Sequence, residues 1–265
     1  MRNPREARMI KWRWLLALTI WGANARAEIK TSLIDYKDGK TALQGYLAYD
    51  DALSGARPGV LVVHEWKGHG DYVRRRADQL AAQGYVVFAL DMYGKGVFAK
   101  DHAEAAGLSG VYFKDRSLMR HRAQAGLRIL QSQPRVDRKR LAAVGYCFGG
   151  TTVLEMARAG MPLKGVACFH GNLTTPTPAR PGGLKAKIIV YQGADDQWTA
   201  GGIPEFEAEM KAAKADWKLE SYPGAVHSFT VKEAGDNPAS GMAYNAEADR
   251  RSWESLTAFL TGLFK

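Results

Sequence analysis

The stretch Ala143–Gly150, AVGYCFGG, decides the fold. A run of small apolar residues ends in Gly145-Tyr146-Cys147-Phe148-Gly149-Gly150, and a helical pattern follows. A Gly-x-Ser-x-Gly pentapeptide at such a place marks a serine nucleophile on a sharp strand-to-helix turn. Here the middle residue is Cys147. On this stretch alone two readings stand open: a nucleophile, or a small core residue between glycines.

Outward from the stretch, the chain alternates strand and helix. The segments 59–66, 85–94, 141–147, 164–171 and 186–193 are short continuous apolar runs, as expected of buried central strands. The segments 41–50 and 217–224 read as further strands, the first antiparallel. Helical spacing predicts helices at 72–84, 114–132, 149–160, 202–214 and 243–262. The last places Trp253, Leu256, Phe259, Leu260 and Leu263 on or near one face. Residues 95–113 lack a firm period and read as a loop or short helices over one end of the sheet. This alternation predicts an α/β fold, a mostly parallel, doubly wound sheet with helices on both faces. No internal repeat or linker divides it.

In such sheets functional groups gather at the carboxyl ends of the strands. Four ends carry useful chemistry: His64-Glu65-Trp66, Cys147, the pair Asp195-Asp196, and His227 in PGAVHSF. The order Cys147, Asp196, His227 is that of the α/β-hydrolase fold. Asp196 is preferred because the acid in that fold commonly lies three residues past the glycine closing its strand, here Gly193; Asp195 then reads as a turn residue or cap. An outward-pointing elbow leaves no room for Cβ atoms at Gly145 and Gly149. The helix that starts at the nucleophile directs unpaired N–H groups and a positive dipole end toward it. The Phe148 N–H is predicted as one oxyanion donor and the Trp66 N–H as the second. His170, at a neighbouring strand end, either lines the pocket or is a buried, hydrogen-bonded histidine. His64 reads as structural.

The 265 residues, 46% of them hydrophobic, suffice for one large domain. No run of eighteen apolar residues predicts a membrane span. Residues 1–27 read as an export signal: Arg8, Lys11 and Arg13 precede the apolar WLLALTIWGA, and Ala25-Arg26-Ala27 matches a small-x-small cleavage site. The leading MRNPREAR is long for such a segment, which makes Met9 an alternative start, and an uncleaved amphipathic anchor is the other reading of the segment. Export places the mature domain, residues 28–265, in the periplasm or outside the cell. Residues 1–27 contribute six Lys/Arg and one Glu, so without them the net charge of +10 falls to +5. The remaining basic runs, Arg74-Arg75-Arg76 and Arg135–Arg140, read as solvated helix ends rather than a nucleic-acid surface. No zinc spacing or RNA-binding motif appears. The two cysteines, Cys147 and Cys168, are expected as free thiols, since a bridge would consume the nucleophile.

Taken together, HEWKGHG (64–70), ALDMYGKG (89–96), GYCFGG (145–150), GADD (193–196), PGAVHSF (223–229) and AYNAEADRRSWESLTAFL (243–260) resemble the dienelactone hydrolase family, of carboxymethylenebutenolidase type. The resemblance spans residues 59 to 260. It implies a Cys-His-Asp triad acting on ester or lactone carbonyls without metal or organic cofactor. It also implies that Glu65 contacts the resting thiol and helps activate it; a loop salt bridge is the other reading. Dienelactone hydrolases proper hold the substrate carboxylate with two arginines. At the matching positions this chain has Lys95, a point charge without the bidentate fork, and Val231. Lys95 is thus a candidate substrate contact, while dienelactone itself is doubtful as substrate.

The expected activity is hydrolysis of a small-molecule lactone or carboxylic ester through an acyl-thioester. A broad carboxylesterase, thioesterase or acyltransferase on the same triad is the first rival. A non-catalytic binding protein on this fold is the second, and a thiol redox role lacks a Cys-x-x-Cys motif to support it. No nucleic-acid partner and no stable membrane insertion is expected. The oligomeric state is open, with a monomer favoured.

Overall fold

A computed structural model describes residues 28–265; the export-signal reading of residues 1–27 lies outside the described residues. Eight strands form one sheet: β1 (Ile29–Asp38), β2 (Thr41–Asp50), β3 (Arg57–Val63), β4 (Val86–Leu90), β5 (Val136–Tyr146), β6 (Gly165–Phe169), β7 (Lys187–Gly193) and β8 (Trp217–Tyr222). Their spatial order is β1-β2-β4-β3-β5-β6-β7-β8. The first two strands pair antiparallel, β2 meets β4 antiparallel, and every later pairing is parallel. The helices are α1 (Asp71–Ala81), α2 (His102–Lys114), α3 (Arg116–Ser132), α4 (Phe148–Arg158), α5 (Ile203–Ala213) and α6 (Ala246–Leu263).

The buried strands are apolar throughout because both faces of the sheet are covered. Their side chains still alternate. Leu61 and Val63 of β3 join one core with Met119, Leu127 and Leu154 from α3 and α4. Val60 and Val62 join the other with Val73, Leu80, Leu256 and Leu260 from α1 and α6. This is the period of two expected of a strand, and it places the predicted apolar stripe of the last helix on the sheet.

Two departures from the sequence expectations have physical causes. Residues 95–113 contain all but the last residue of a 13-residue helix, α2, which carries no apolar stripe of helical period. Its start is set by Asp101, whose side chain accepts the Glu104 N–H at 2.9 Å. The two basic runs are not helix ends in water. Arg138, Lys139 and Arg140 bulge from β5 where its pairing with β3 slips between Pro58 and Gly59, and Arg140 bonds Asp137 at 2.7 Å. Arg76 turns inward and is 7% exposed. It pairs with Asp249 of α6, and the Tyr72, Tyr146 and Trp253 rings lie within 6 Å of it.

Among the described residues no helix is long and apolar enough to cross a membrane.

Candidate active site

The elbow is built by steric exclusion. β5 ends at Tyr146 and α4 begins at Phe148, so Cys147 alone makes the turn, at φ 54° and ψ −115°. L residues seldom adopt this conformation, and holding one there costs on the order of 1–3 kcal/mol. A Cβ at Gly145 would stand 2.0 Å from the Gly149 carbonyl oxygen, and one at Gly149 would stand 2.2 Å from that of Val63. Both positions therefore need glycine. The Cys147 N–H donates to the Phe169 carbonyl at 2.9 Å, tying the turn to β6.

The turn brings Cys147 to His227. Cys147 Sγ lies 3.2 Å from His227 Nε2, and His227 Nδ1–H donates to Asp196 Oδ2 at 2.8 Å. A carboxylate only accepts, so the proton on Nδ1 is assigned by its partner and Nε2 faces the sulfur. Asp196 is 1% exposed and its other oxygen accepts the Trp198 N–H at 3.0 Å. Asp195 is an exposed turn residue. The His227 backbone is clamped by 241–243: its N–H donates to Gly241 and its carbonyl accepts from Ala243. Burial alone would lower the His227 pKa. The charge on Cys147 and the hydrogen bonds to Asp196 and Cys147 outweigh it and hold the imidazole up to about 10.

Phe148 opens α4, where a backbone N–H has no carbonyl one turn back. Neither the Phe148 nor the Trp66 N–H donates to a protein acceptor among the described residues. The loop carrying Trp66 is held by His64, which is fully buried between two backbone groups. Its Nδ1–H donates to the Glu65 carbonyl at 2.6 Å and its Nε2 accepts the Met92 N–H at 3.1 Å. Burial lowers its pKa, which keeps it neutral.

Glu65 is half-buried, and its carboxylate makes no hydrogen bond with a described residue, Cys147 included. The thiol engages His227 instead. Burial pushes the Glu65 carboxyl up to about 7, with His227 opposing the shift and Glu233 adding to it. Glu65 and Trp66 line a cleft of about 570 Å³, as does Ser228, the neighbour of His227.

Lys95 and His170, the two candidate substrate contacts, are both engaged with protein groups. Lys95 Nζ bonds Asp35 at 2.6 Å on the surface, and Lys95, like Cys147 and His227, is not among the residues lining the cleft. Its position follows from the turn around it: Gly94 and Gly96 have φ of 150° and 78°, and the Lys95 N–H donates to Ala42. His170 is fully buried and does not line that cleft. Its ring stands edge-on to His227 at 5.1 Å between centroids, and its Nε2 lies 3.0 Å from Thr230 Oγ1. Burial, then the charges of His227 and Arg76, push its pKa well below the ordinary value.

The sequence reading missed the chain of groups behind His170. Thr230 Oγ1 meets Tyr72 OH at 2.7 Å, and Arg76 Nε donates to Tyr72 OH at 3.2 Å. Arginine only donates, so Tyr72 OH accepts from Arg76, and Thr230 Oγ1 links that hydroxyl to His170 Nε2. His170 and Ser228 also have positive φ, 38° and 58°, so with Cys147 three of the four strained non-glycine residues among those described lie at this site.

Cys168 is fully buried, free, and its thiol is pushed up to about 12 by burial. Among the described residues no group of three or more His, Cys, Asp or Glu side chains could hold a metal ion.

Comparison with known proteins places this geometry. The dienelactone hydrolase family model matches residues 43–264. A dienelactone hydrolase-like promiscuous phosphotriesterase from metagenomic libraries is 37% identical, with a TM-score of 0.85 over 89% of this chain and 99% of that one. A carboxymethylenebutenolidase candidate of Yersinia pestis is 27% identical over 83% of each chain. A probable 2-oxo-3-(5-oxofuran-2-ylidene)propanoate lactonase of a Bradyrhizobium is 27% identical over 87% of this chain and 95% of that one.

Proposed function

The chain belongs to the dienelactone hydrolase family, and on that premise we propose that it cleaves a lactone or carboxylic ester with Cys147 as nucleophile, His227 as base and acid, and Asp196 as the group that orients the histidine. The observation that carries the reading is the continuous hydrogen-bonded line from Cys147 Sγ through His227 to Asp196.

The Cys147 thiolate, its proton held on His227 Nε2, attacks the carbonyl carbon. The carbonyl π pair moves to oxygen, and the N–H groups of Phe148 and Trp66 receive that oxyanion. Loss of one such donor typically costs about 2.7–4 kcal/mol of barrier. The oxyanion collapses, the C–O bond breaks, and the leaving alkoxide takes the proton from His227. An acyl-thioester remains on Cys147. His227 then removes a proton from water, hydroxide adds to the thioester carbonyl, and the C–S bond breaks to regenerate the thiolate and release the acid. Glu65 is free in the cleft to accept or return a proton as the thiol changes partner.

A second substrate type is favoured by the 37% identical phosphotriesterase. A thiolate facing two N–H donors also suits a neutral phosphotriester.

A hydrolysis panel of lactones and short acyl esters tests the reading. Cys147→Ala is expected to abolish hydrolysis while the far-UV circular dichroism of the fold is kept. Undiminished hydrolysis of the best ester by Cys147→Ala overturns it. Residues 1–27 are proposed to be removed on export, and an intact mass beginning at Glu28 is the expected result.

A further inference from the structure

The charge pattern of the cleft bears on what it admits, and the inference drawn from it rests on the ester-hydrolase reading above. Three carboxylates, Glu65, Asp71 and Glu233, line it against two cations, Lys67 and Arg75. Arg75 is already committed, with its guanidinium 2.5 Å from Glu233. The Glu65 carboxylate is without a hydrogen-bond donor among the described residues. Lys95 is spent on Asp35 and stands apart. A carboxylate entering the cleft therefore meets one uncommitted cation, Lys67, and two uncommitted carboxylates, Glu65 and Asp71.

Apolar side chains share the lining with these charges. Trp66, Val73, Phe98, Val231 and Met242 line the space, and Val231 is 7% exposed. Phe98 is held in place by backbone contacts. Its ring seats on Gly70, where a Cβ would stand 2.7 Å away, and the Ala99 N–H donates to the Lys67 carbonyl at 2.8 Å. An aromatic wall fixed this way offers area for burial and no hydrogen bond.

We propose that the cleft selects esters whose cleft-bound part is uncharged and apolar, and disfavours those carrying a carboxylate, with Val231 and Phe98 as the specificity-determining walls. Burying a carboxylate forfeits its hydration, and the net charge of the lining does not replace it. An apolar group loses no such hydration and gains in proportion to the area it buries.

Two esters with one leaving group and one chain length separate the cases: 4-nitrophenyl pentanoate and the 4-nitrophenyl monoester of glutaric acid. The neutral ester is expected to have at least about tenfold higher kcat/KM. Val231→Arg should narrow that ratio by about tenfold, chiefly through a lower KM for the anionic ester. Should that substitution unfold the chain, Glu233→Gln, which frees Arg75 at an exposed position, should narrow it by about threefold. Equal kcat/KM for the two esters in the unsubstituted protein overturns the proposal. So does a ratio unmoved in both folded variants. The hydrolase reading fails separately, if Cys147→Ala cleaves the neutral ester as fast as the unsubstituted protein.

Discussion

Gly149 lies directly against Val63: a Cβ at position 149 would stand 2.2 Å from the Val63 carbonyl oxygen. The first turn of α4 is thereby pressed onto the end of β3, where the loop bearing Glu65 and Trp66 begins. The elbow and the loop bearing Trp66 are thus set relative to each other by backbone contact.

Gly149→Ala and Gly145→Ala must move backbone, not a flexible side chain. Each is expected to cost about 3 kcal/mol or more, seen as lost soluble yield or a sharply lowered Tm. Gly107→Ala is the control. Gly107 is exposed in α2 with nothing within 4 Å of its missing Cβ, so alanine should stabilise by about 0.5–1 kcal/mol. Equal Tm for all three variants would contradict the steric account.

The strain at Cys147 predicts a trade between stability and activity. At φ 54° and ψ −115°, alanine keeps the penalty and glycine removes it. Cys147→Gly should therefore be more stable than Cys147→Ala by about 1 kcal/mol, after allowing for the greater unfolded-state freedom of glycine. Urea unfolding of the two inactive variants measures the difference. A less stable glycine variant would remove strain from the account of the elbow.

The parts legible in the sequence are those where one residue class repeats at a fixed spacing. β3 to β7 are continuous apolar runs because helices cover both faces, and the Cys147-Asp196-His227 order needs only the strand ends. β1 was illegible because it is an edge strand: of its ten residues only Tyr36 is buried, so no apolar pattern marks it. α2 lacked an apolar stripe, although Asp101 and Glu104 carried a helix-start signal. The line from Arg76 through Tyr72 and Thr230 to His170 joins residues up to 158 positions apart, and no local pattern encodes such a meeting. The pairing of Lys95 with Asp35 was unreadable for the same reason, since Asp35 sits 60 residues upstream on β1.

Glu65 makes stability depend on pH. Its carboxyl titrates near 7 in the fold against an ordinary value of 4.5. Between those values the folded state binds more protons than the unfolded one, so stability falls as pH rises through the window and stays low above it. Glu65→Gln removes the charge. It should stabilise by about 1–3 kcal/mol at pH 8.5 and by much less at pH 5, while slowing ester hydrolysis. Thermal melts at the two pH values decide it; a gain of the same size at both would show that ionisation is not the cause.

Arg76 is costly to truncate. It is 7% exposed, pairs with Asp249, donates to the Thr230 carbonyl at 3.0 Å and to Tyr72 OH at 3.2 Å, and sits against three aromatic rings. Arg76→Met leaves the Asp249 carboxylate largely buried without its cation, and is expected to cost about 3–5 kcal/mol. Arg76→Lys should recover little, because one ammonium cannot make the forked contacts. Adding Asp249→Asn to Arg76→Met removes the stranded charge and should return more than about 1 kcal/mol. Urea midpoints across this double-mutant cycle give the coupling, and strictly additive costs would show that the pair does not act as a unit. The same cycle reaches the site. Loss of Arg76 removes the donor that holds Tyr72 OH and the Thr230 carbonyl, which loosens Thr230 against His170, whose ring backs that of His227. Hydrolysis should therefore fall in Arg76→Met even where the fraction folded is held equal.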